Sequence, residues 1–302
     1  MHTGITPVGK LSADQVRSVL AAASDTSAPQ HPPPWYVHCT PTTIELHATP
    51  NRVAAAVADR RQLLLACGAA LLNLRLAISA QGVYPDVRML PDPAQPELLA
   101  VMRPQSRRPV TPNDRQLAAA IGDHRSDHQP DASVVIRAAV RGELRRAAEI
   151  ERAWLATLTP TQLPLLRAIV GRAHRASQDN PAFSAEWAAW AGGDGSGEQV
   201  PEPLIAVIGT FHDQSATHLQ AGQAMQRVAL TAVTAGLSTT LLSQVVEVPA
   251  TRGELRDLIG GGLWPQILLR FEEAPPRSMP RLLDIEDVVT PEELVAIAGA
   301  DG

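Results

Sequence analysis

Two stretches of the chain, CGAALLNLRLAISAQGV at 67–83 and AGQAMQRVALTAVTAGL at 221–237, align without a gap. Gly68 falls on Gly222, Ala70 on Ala224, Leu76 on Leu230 and Gly82 on Gly236. In each copy a nearly all-apolar helical pattern ends at a glycine suited to a C-cap, and a strand-like run follows. A helix that is apolar on almost every side must be buried all round, which places it at the centre of a folded unit. The repeat therefore predicts two related halves packed as a pseudo-dimer, with the two long helices central. The expected division lies between residues 1–121 and 122–302.

The starts of helices are legible. Ser12 to Gln15 (SADQ) form a capping box that opens a helix running to about Ala23. Proline follows a capping residue at Thr111-Pro112, Thr159-Pro160, Asn180-Pro181 and Thr290-Pro291. A long helix is expected from Arg60 to Ala80, and others over 141–158, 160–176, 181–190, 216–235 and 251–259. Strands are fewer: TIELHA alternates, and VRML, LLAVM, LIAVIG and QILLRF are short apolar runs bounded by Pro or Gly. Residues 192–203, GGDGSGEQVPEP, read as a flexible loop. Few strands among many helices predict an α+β fold, with short mixed or antiparallel sheets clasped by helices.

Composition removes several function classes. A net charge of −5 opposes a general nucleic-acid binder, and aromatic residues are not interleaved with basic ones as a stacking surface requires. Lys10, in the N-terminal tail, is the only lysine, so neither a P-loop ATPase nor a pyridoxal-phosphate enzyme has its essential cation. An anion held here by a side-chain cation is held by arginine. Cys39 and Cys67 suggest neither a zinc site nor a disulfide framework, and Cys67 sits in an apolar run as a buried, inert thiol. The N-terminus lacks an apolar signal segment, and the apolar stretch 63–78, interrupted by Asn73 and Arg75, falls short of a membrane span. The expectation is a cytoplasmic soluble protein with no nucleic-acid or membrane partner.

Candidate metal and nucleophile sites are weak. In GDHRSDHQPD (122–131) His124 and His128 stand four apart and would share a helix face. His212, Asp213 and His218 could be drawn as a triad with Asp179 or Glu186, but no tight metal-ligand spacing supports it. No G-x-S-x-G elbow appears. No metal ligand and no catalytic nucleophile is expected.

An ordered set of segments carries a family resemblance. RQLLLACGAALLNLRL and LPDPAQPELLAVM in the first half, then NPAFSAEWAAW, IGTFHD, AGQAMQRVALTAVTAGL, SQVVEVPATR and WPQILLRF in the second, resemble the Acg-type nitroreductase-like proteins of actinobacteria. The resemblance covers most of 12–290. It implies a fused tandem nitroreductase-like fold, an intramolecular pseudo-dimer that binds one FMN between its halves. It also implies that NAD(P)H reduces the flavin and that a small electron acceptor, of nitroaromatic or quinone type, takes the electrons. Such chemistry asks few acids or bases of the protein.

The resemblance assigns site residues unevenly. In the broader family a Pro-Ser-x-x-Asn-x-Gln-Pro-Trp loop lies against the flavin; in APQHPPPW this chain keeps Pro34-Trp35 but has His31 for Asn and Pro33 for Gln. Three successive prolines remove backbone donors, so a stiff linker anchored by one buried tryptophan is the other reading. The family's Arg-Arg-Ser/Thr-x-Arg phosphate clamp falls on DHRSDH, where Arg125-Ser126 remain, and His124 and His128 replace two arginines. Arg281, with His128 when protonated, would assist Arg125. Asp123 and Asp127 oppose that charge, and a solvated loop is the other reading. Ser243-Gln244 stand where the family places residues over the flavin ring, whereas Pro265 and Gln266 read as structural. The eroded loop and clamp, with the shortened 192–203 loop, motivate an alternative from another class: a non-catalytic relative that sequesters a ligand or binds a partner.

Overall fold

The computed structural model describes residues 5–24, 26, 33–49, 57–123, 136–176 and 204–273. They fall into two compact units, one formed by the described residues up to 123 and the other by 136–273.

The first unit begins with helix α1 (Ala13–Ser24) and strands β1 (Trp35–Cys39) and β2 (Ile44–Ala48). Helix α2 (Val57–Ala80), strands β3 (Val83–Met89) and β4 (Leu98–Arg107), and helix α3 (Pro112–Asp123) complete it. The capping box at Ser12 forms as expected, with the Ser12 amide donating to Gln15 Oε1 at 2.9 Å and the Gln15 amide to Ser12 Oγ at 3.4 Å. The strand order is β1-β2-β4-β3, and every neighbouring pair is antiparallel. Strands β2 and β3 are both antiparallel to β4, so they run parallel to each other on its two sides. A hairpin cannot join parallel strands; α2 is the crossover that does.

The second unit repeats this plan. Helix α4 (Ala138–Ile150) leads into β5 (Trp154–Thr157), a 3-10 turn at Pro160–Gln162 and α5 (Leu163–Ala176). Then follow β6 (Leu204–Thr210), α6 (Ser215–Thr234), β7 (Leu237–Leu242), two helices α7 (Gln244–Glu247) and α8 (Pro249–Leu258), and β8 (Trp264–Glu273). The order is β5-β6-β8-β7, again antiparallel throughout, and α6 is the crossover between β6 and β7. The sequence repeat is thus the crossover helix together with its exit turn. Gly82 and Gly236 make that turn at φ 72° and 77°, where an L side chain would be strained. Each glycine amide donates 3.0 Å to the carbonyl three residues back, Ser79 and Val233.

Burial explains why both helices are apolar on all sides. Every residue from Leu63 to Leu74 and from Ala221 to Leu230 is buried. The segment Arg60–Ala80, with hydropathy 1.9, is long and apolar enough to cross a membrane, because the helix extends past the 63–78 stretch that appeared too short. Within the protein 89% of it is buried, so its apolar surface is already covered. The aligned positions Asn73 and Arg227 tie each crossover helix to the helix preceding its sheet. Asn73 Nδ2 donates to Ala22 O at 3.0 Å, and Arg227 Nε donates to Glu151 Oε1 at 2.7 Å.

Two expectations are corrected. The helix expected over 141–158 stops at Ile150. Arg152 turns the chain through φ 59°, and Trp154–Thr157 pairs with β6 as an edge strand. The stretch after the three prolines is also a strand, β1, in which Trp35 pairs with Ala48 and Tyr36 with His47. Helical periodicity hid the first, and the proline run hid the second. The helices expected at 181–190 and from Pro291, and the loop 192–203, lie outside the described residues.

Candidate functional site

Three of the segments that carry the family resemblance meet in the second unit around one side chain. Asp213 leaves the end of β6, Arg252 stands in the first turn of α8, and Gln266 opens β8. Proline at the first helical position starts α8 at Pro249. Arg252 donates from its two terminal nitrogens to Asp213 Oδ2 at 2.8 Å and Oδ1 at 2.7 Å, a bidentate fork. Its Nε donates to Pro265 O at 2.9 Å, and Gln266 Oε1 lies 3.3 Å from one terminal nitrogen.

Gln266, fully buried, donates to Thr210 Oγ1 at 2.9 Å and to Asp213 Oδ1 at 3.2 Å. His218 Nε2, on the first turn of α6, lies 2.8 Å from Asp213 Oδ1. Burial alone would raise the Asp213 carboxyl. The hydrogen bonds from Arg252, His218 and Gln266, with the Arg252 charge, outweigh it and hold the group well below the usual carboxylate range. The Arg256 guanidinium lies 4.0 Å from the centroid of the Trp264 ring, and that of Arg252 lies 5.7 Å from it. The carboxylate once drawn into a metal triad is thus committed to a clasp. Among the described residues no group of three or more His, Cys, Asp or Glu could hold a metal ion.

Ser243 and Gln244 stand at the N-terminal end of α7. Ser243 is half-buried and Gln244 is 3% exposed. Val245 and Val246 enter the core with Leu166 and Val170 of α5 and Leu255 of α8. Thr251, one residue before Arg252, donates to Val245 O at 2.9 Å. Sequence reasoning missed both Thr251 and Arg252. Their signal was a proline-initiated helix with a hydroxyl and an arginine in its first turn, inside a segment already singled out.

In the first unit, Pro34 is buried and Trp35 is 3% exposed. Pro34 O accepts the Thr49 amide at 3.0 Å. The tryptophan ring is a core anchor of the sheet. Arg125, Ser126, His128 and Arg281, with His124, lie outside the described residues. Cys67 is fully buried, and burial pushes its thiol far up, as expected of an inert cysteine.

The chain is similar over most of its length to curated proteins of Mycobacterium tuberculosis. It is 28% identical to one named "Putative NAD(P)H nitroreductase Rv3131", covering 89% of this chain and 88% of that protein. It is 25% identical to one named "Putative NAD(P)H nitroreductase acg", covering 92% and 96%. No family model matches the chain. Among solved structures, a nitroreductase with bound FMN from Desulfitobacterium hafniense aligns with TM-score 0.46 and 11% identity, over 58% of this chain and 97% of that one.

Proposed function

We propose that this chain is an FMN-dependent NAD(P)H oxidoreductase, acting on a small electron acceptor of nitroaromatic or quinone type. The observation that carries the reading is the similarity to the two NAD(P)H nitroreductase-named proteins across nearly the whole of both chains. The matched strand orders support a tandem duplication, with halves dividing near residue 121. A cytoplasmic location belongs to the same proposal.

The donor chemistry suits that group. The Ser243 hydroxyl and the Gln244 carboxamide each donate and accept, as a flavin ring edge requires. Arg125, Ser126 and Arg281, assisted by His128, would hold the phosphate, arginine forks matching a dianion. FMN, when bound, supplies the hydride-accepting ring, so the protein needs only to bind, orient and shield it.

The test is a visible spectrum and a thermal melt of the purified chain with and without FMN, followed by NADH and NADPH oxidation with a nitroaromatic acceptor. Bound flavin and acceptor-dependent oxidation are expected. Colourless protein with no FMN-induced thermal shift overturns the reading. The burial of Trp35 and Gln244 within their own units favours a second reading, a non-catalytic relative that sequesters a ligand or binds a partner. Acceptor reduction abolished by Arg125→Ala would exclude it.

A further inference from the structure

We propose that Thr251 and Arg252 are positioning residues for the Ser243–Gln244 turn, fixing where those two side chains meet the flavin ring. The inference rests on the FMN reading above. Helix α7 has four residues, too few to hold a conformation or a location by itself. Its position is imposed from outside. Val245 and Val246 pin one face in the core, but apolar contacts are non-directional and leave the turn free to slide or rotate.

Direction comes from hydrogen bonds. The Thr251 hydroxyl, 2% exposed, donates to Val245 O at 2.9 Å, with Val248 O at 3.1 Å within reach of the same hydrogen. The Arg252 amide donates to Val248 O at 2.9 Å. The Arg252 side chain fastens that same helical turn to Pro265 O at the start of β8 and to both oxygens of Asp213 at the end of β6. A continuous path of directed contacts therefore runs from two central strands, through the first turn of α8, to the carbonyl next to Gln244. Thr251 is buried beneath the turn, so it acts through Ser243 and Gln244. Displacements of about 1 Å at such a contact are enough to degrade ligand geometry.

The experiment uses the full chain as wild type, Thr251→Val, Thr251→Ser and Arg252→Lys. Each is titrated with FMN by visible absorption and flavin fluorescence, the midpoint potential of the bound flavin is measured, and thermal unfolding is followed by circular dichroism. Thr251→Val is expected to raise the FMN dissociation constant severalfold, as the displaced turn misplaces Ser243 and Gln244, and to displace the flavin absorption bands and potential. Thr251→Ser restores both, and Arg252→Lys moves them in the same direction as Thr251→Val. A Thr251→Val protein that melts earlier yet binds FMN with wild-type affinity, spectrum and potential overturns the proposal. Should Thr251→Val not fold, unchanged flavin binding and spectrum in folded Arg252→Lys overturns it equally. A wild type that binds no FMN overturns the FMN reading itself, and the inference with it.

Discussion

Replacing Arg227 with methionine breaks a buried ion pair inside the second unit. Arg227 lies in the centre of α6 and Glu151 caps the end of α4; their side chains are 9% and 5% exposed, and two guanidinium nitrogens each lie 2.7 Å from Glu151 Oε1. At an effective dielectric of about 20, charges roughly 4 Å apart attract by about 4 kcal/mol, and breaking a buried pair from one side typically costs about 3–5 kcal/mol. Arg227→Met should therefore destabilise by about 3–4 kcal/mol at pH 7. Urea unfolding followed by circular dichroism measures this, and Glu151→Gln in the Arg227→Met background should recover part of the loss. A loss below about 1 kcal/mol would refute the claim that this pair carries buried charge.

Two further expectations concern local backbone and acid stability. Arg152 is exposed and holds φ 59°, so Arg152→Gly should unfold at equal or higher temperature than wild type, while Arg152→Val, β-branched in that region, should lose about 1–2 kcal/mol; a valine variant as stable as wild type would contradict this strain. Asp213 has a folded value held below its unfolded one, so its contribution is present above the ordinary carboxylate value of about 3.9 and is lost as pH falls below it. The thermal-midpoint gap between wild type and Asp213→Asn should accordingly be constant from neutral pH down to about pH 5 and then narrow, and a gap unchanged at pH 3 would show that Arg252 and Gln266 do not depend on that charge.

What the sequence made legible follows from how far each signal reaches along the chain. The crossover helices are local patterns: a run apolar on every face, a glycine that alone tolerates the left-handed exit, and a strand after it. Their burial from Leu63 to Leu74 and from Ala221 to Leu230 bears that reading out. The edge strands β1 and β5 were not legible, because each is short and stabilised by pairing with a partner distant in sequence, and local cues around them pointed elsewhere. The clasp was hidden for the same reason. Asp213, Arg252 and Gln266 acquire meaning only once β6, α8 and β8 are adjacent. Read along the chain, Asp213 stood out for its neighbours His212 and His218; in the fold it is defined by an arginine 39 positions away.

The two halves also show where a repeat stops being informative. Asn73 and Arg227 occupy the same position in the alignment and make the same joint, crossover helix to preceding helix, by different chemistry. In the first unit a neutral amide reaches the Ala22 carbonyl, which needs no partner residue of its own. In the second, a guanidinium requires the Glu151 carboxylate at the end of α4. A neutral hydrogen bond contributes about 1 kcal/mol and fails gently, whereas a buried ion pair contributes little net but is costly to break from one side. The repeat thus conveys the joint and not its chemistry. Exchanging the residues singly should therefore be asymmetric: Asn73→Ala costs less than Arg227→Asn, which breaks a buried ion pair from one side, and urea unfolding of the two variants measures the difference.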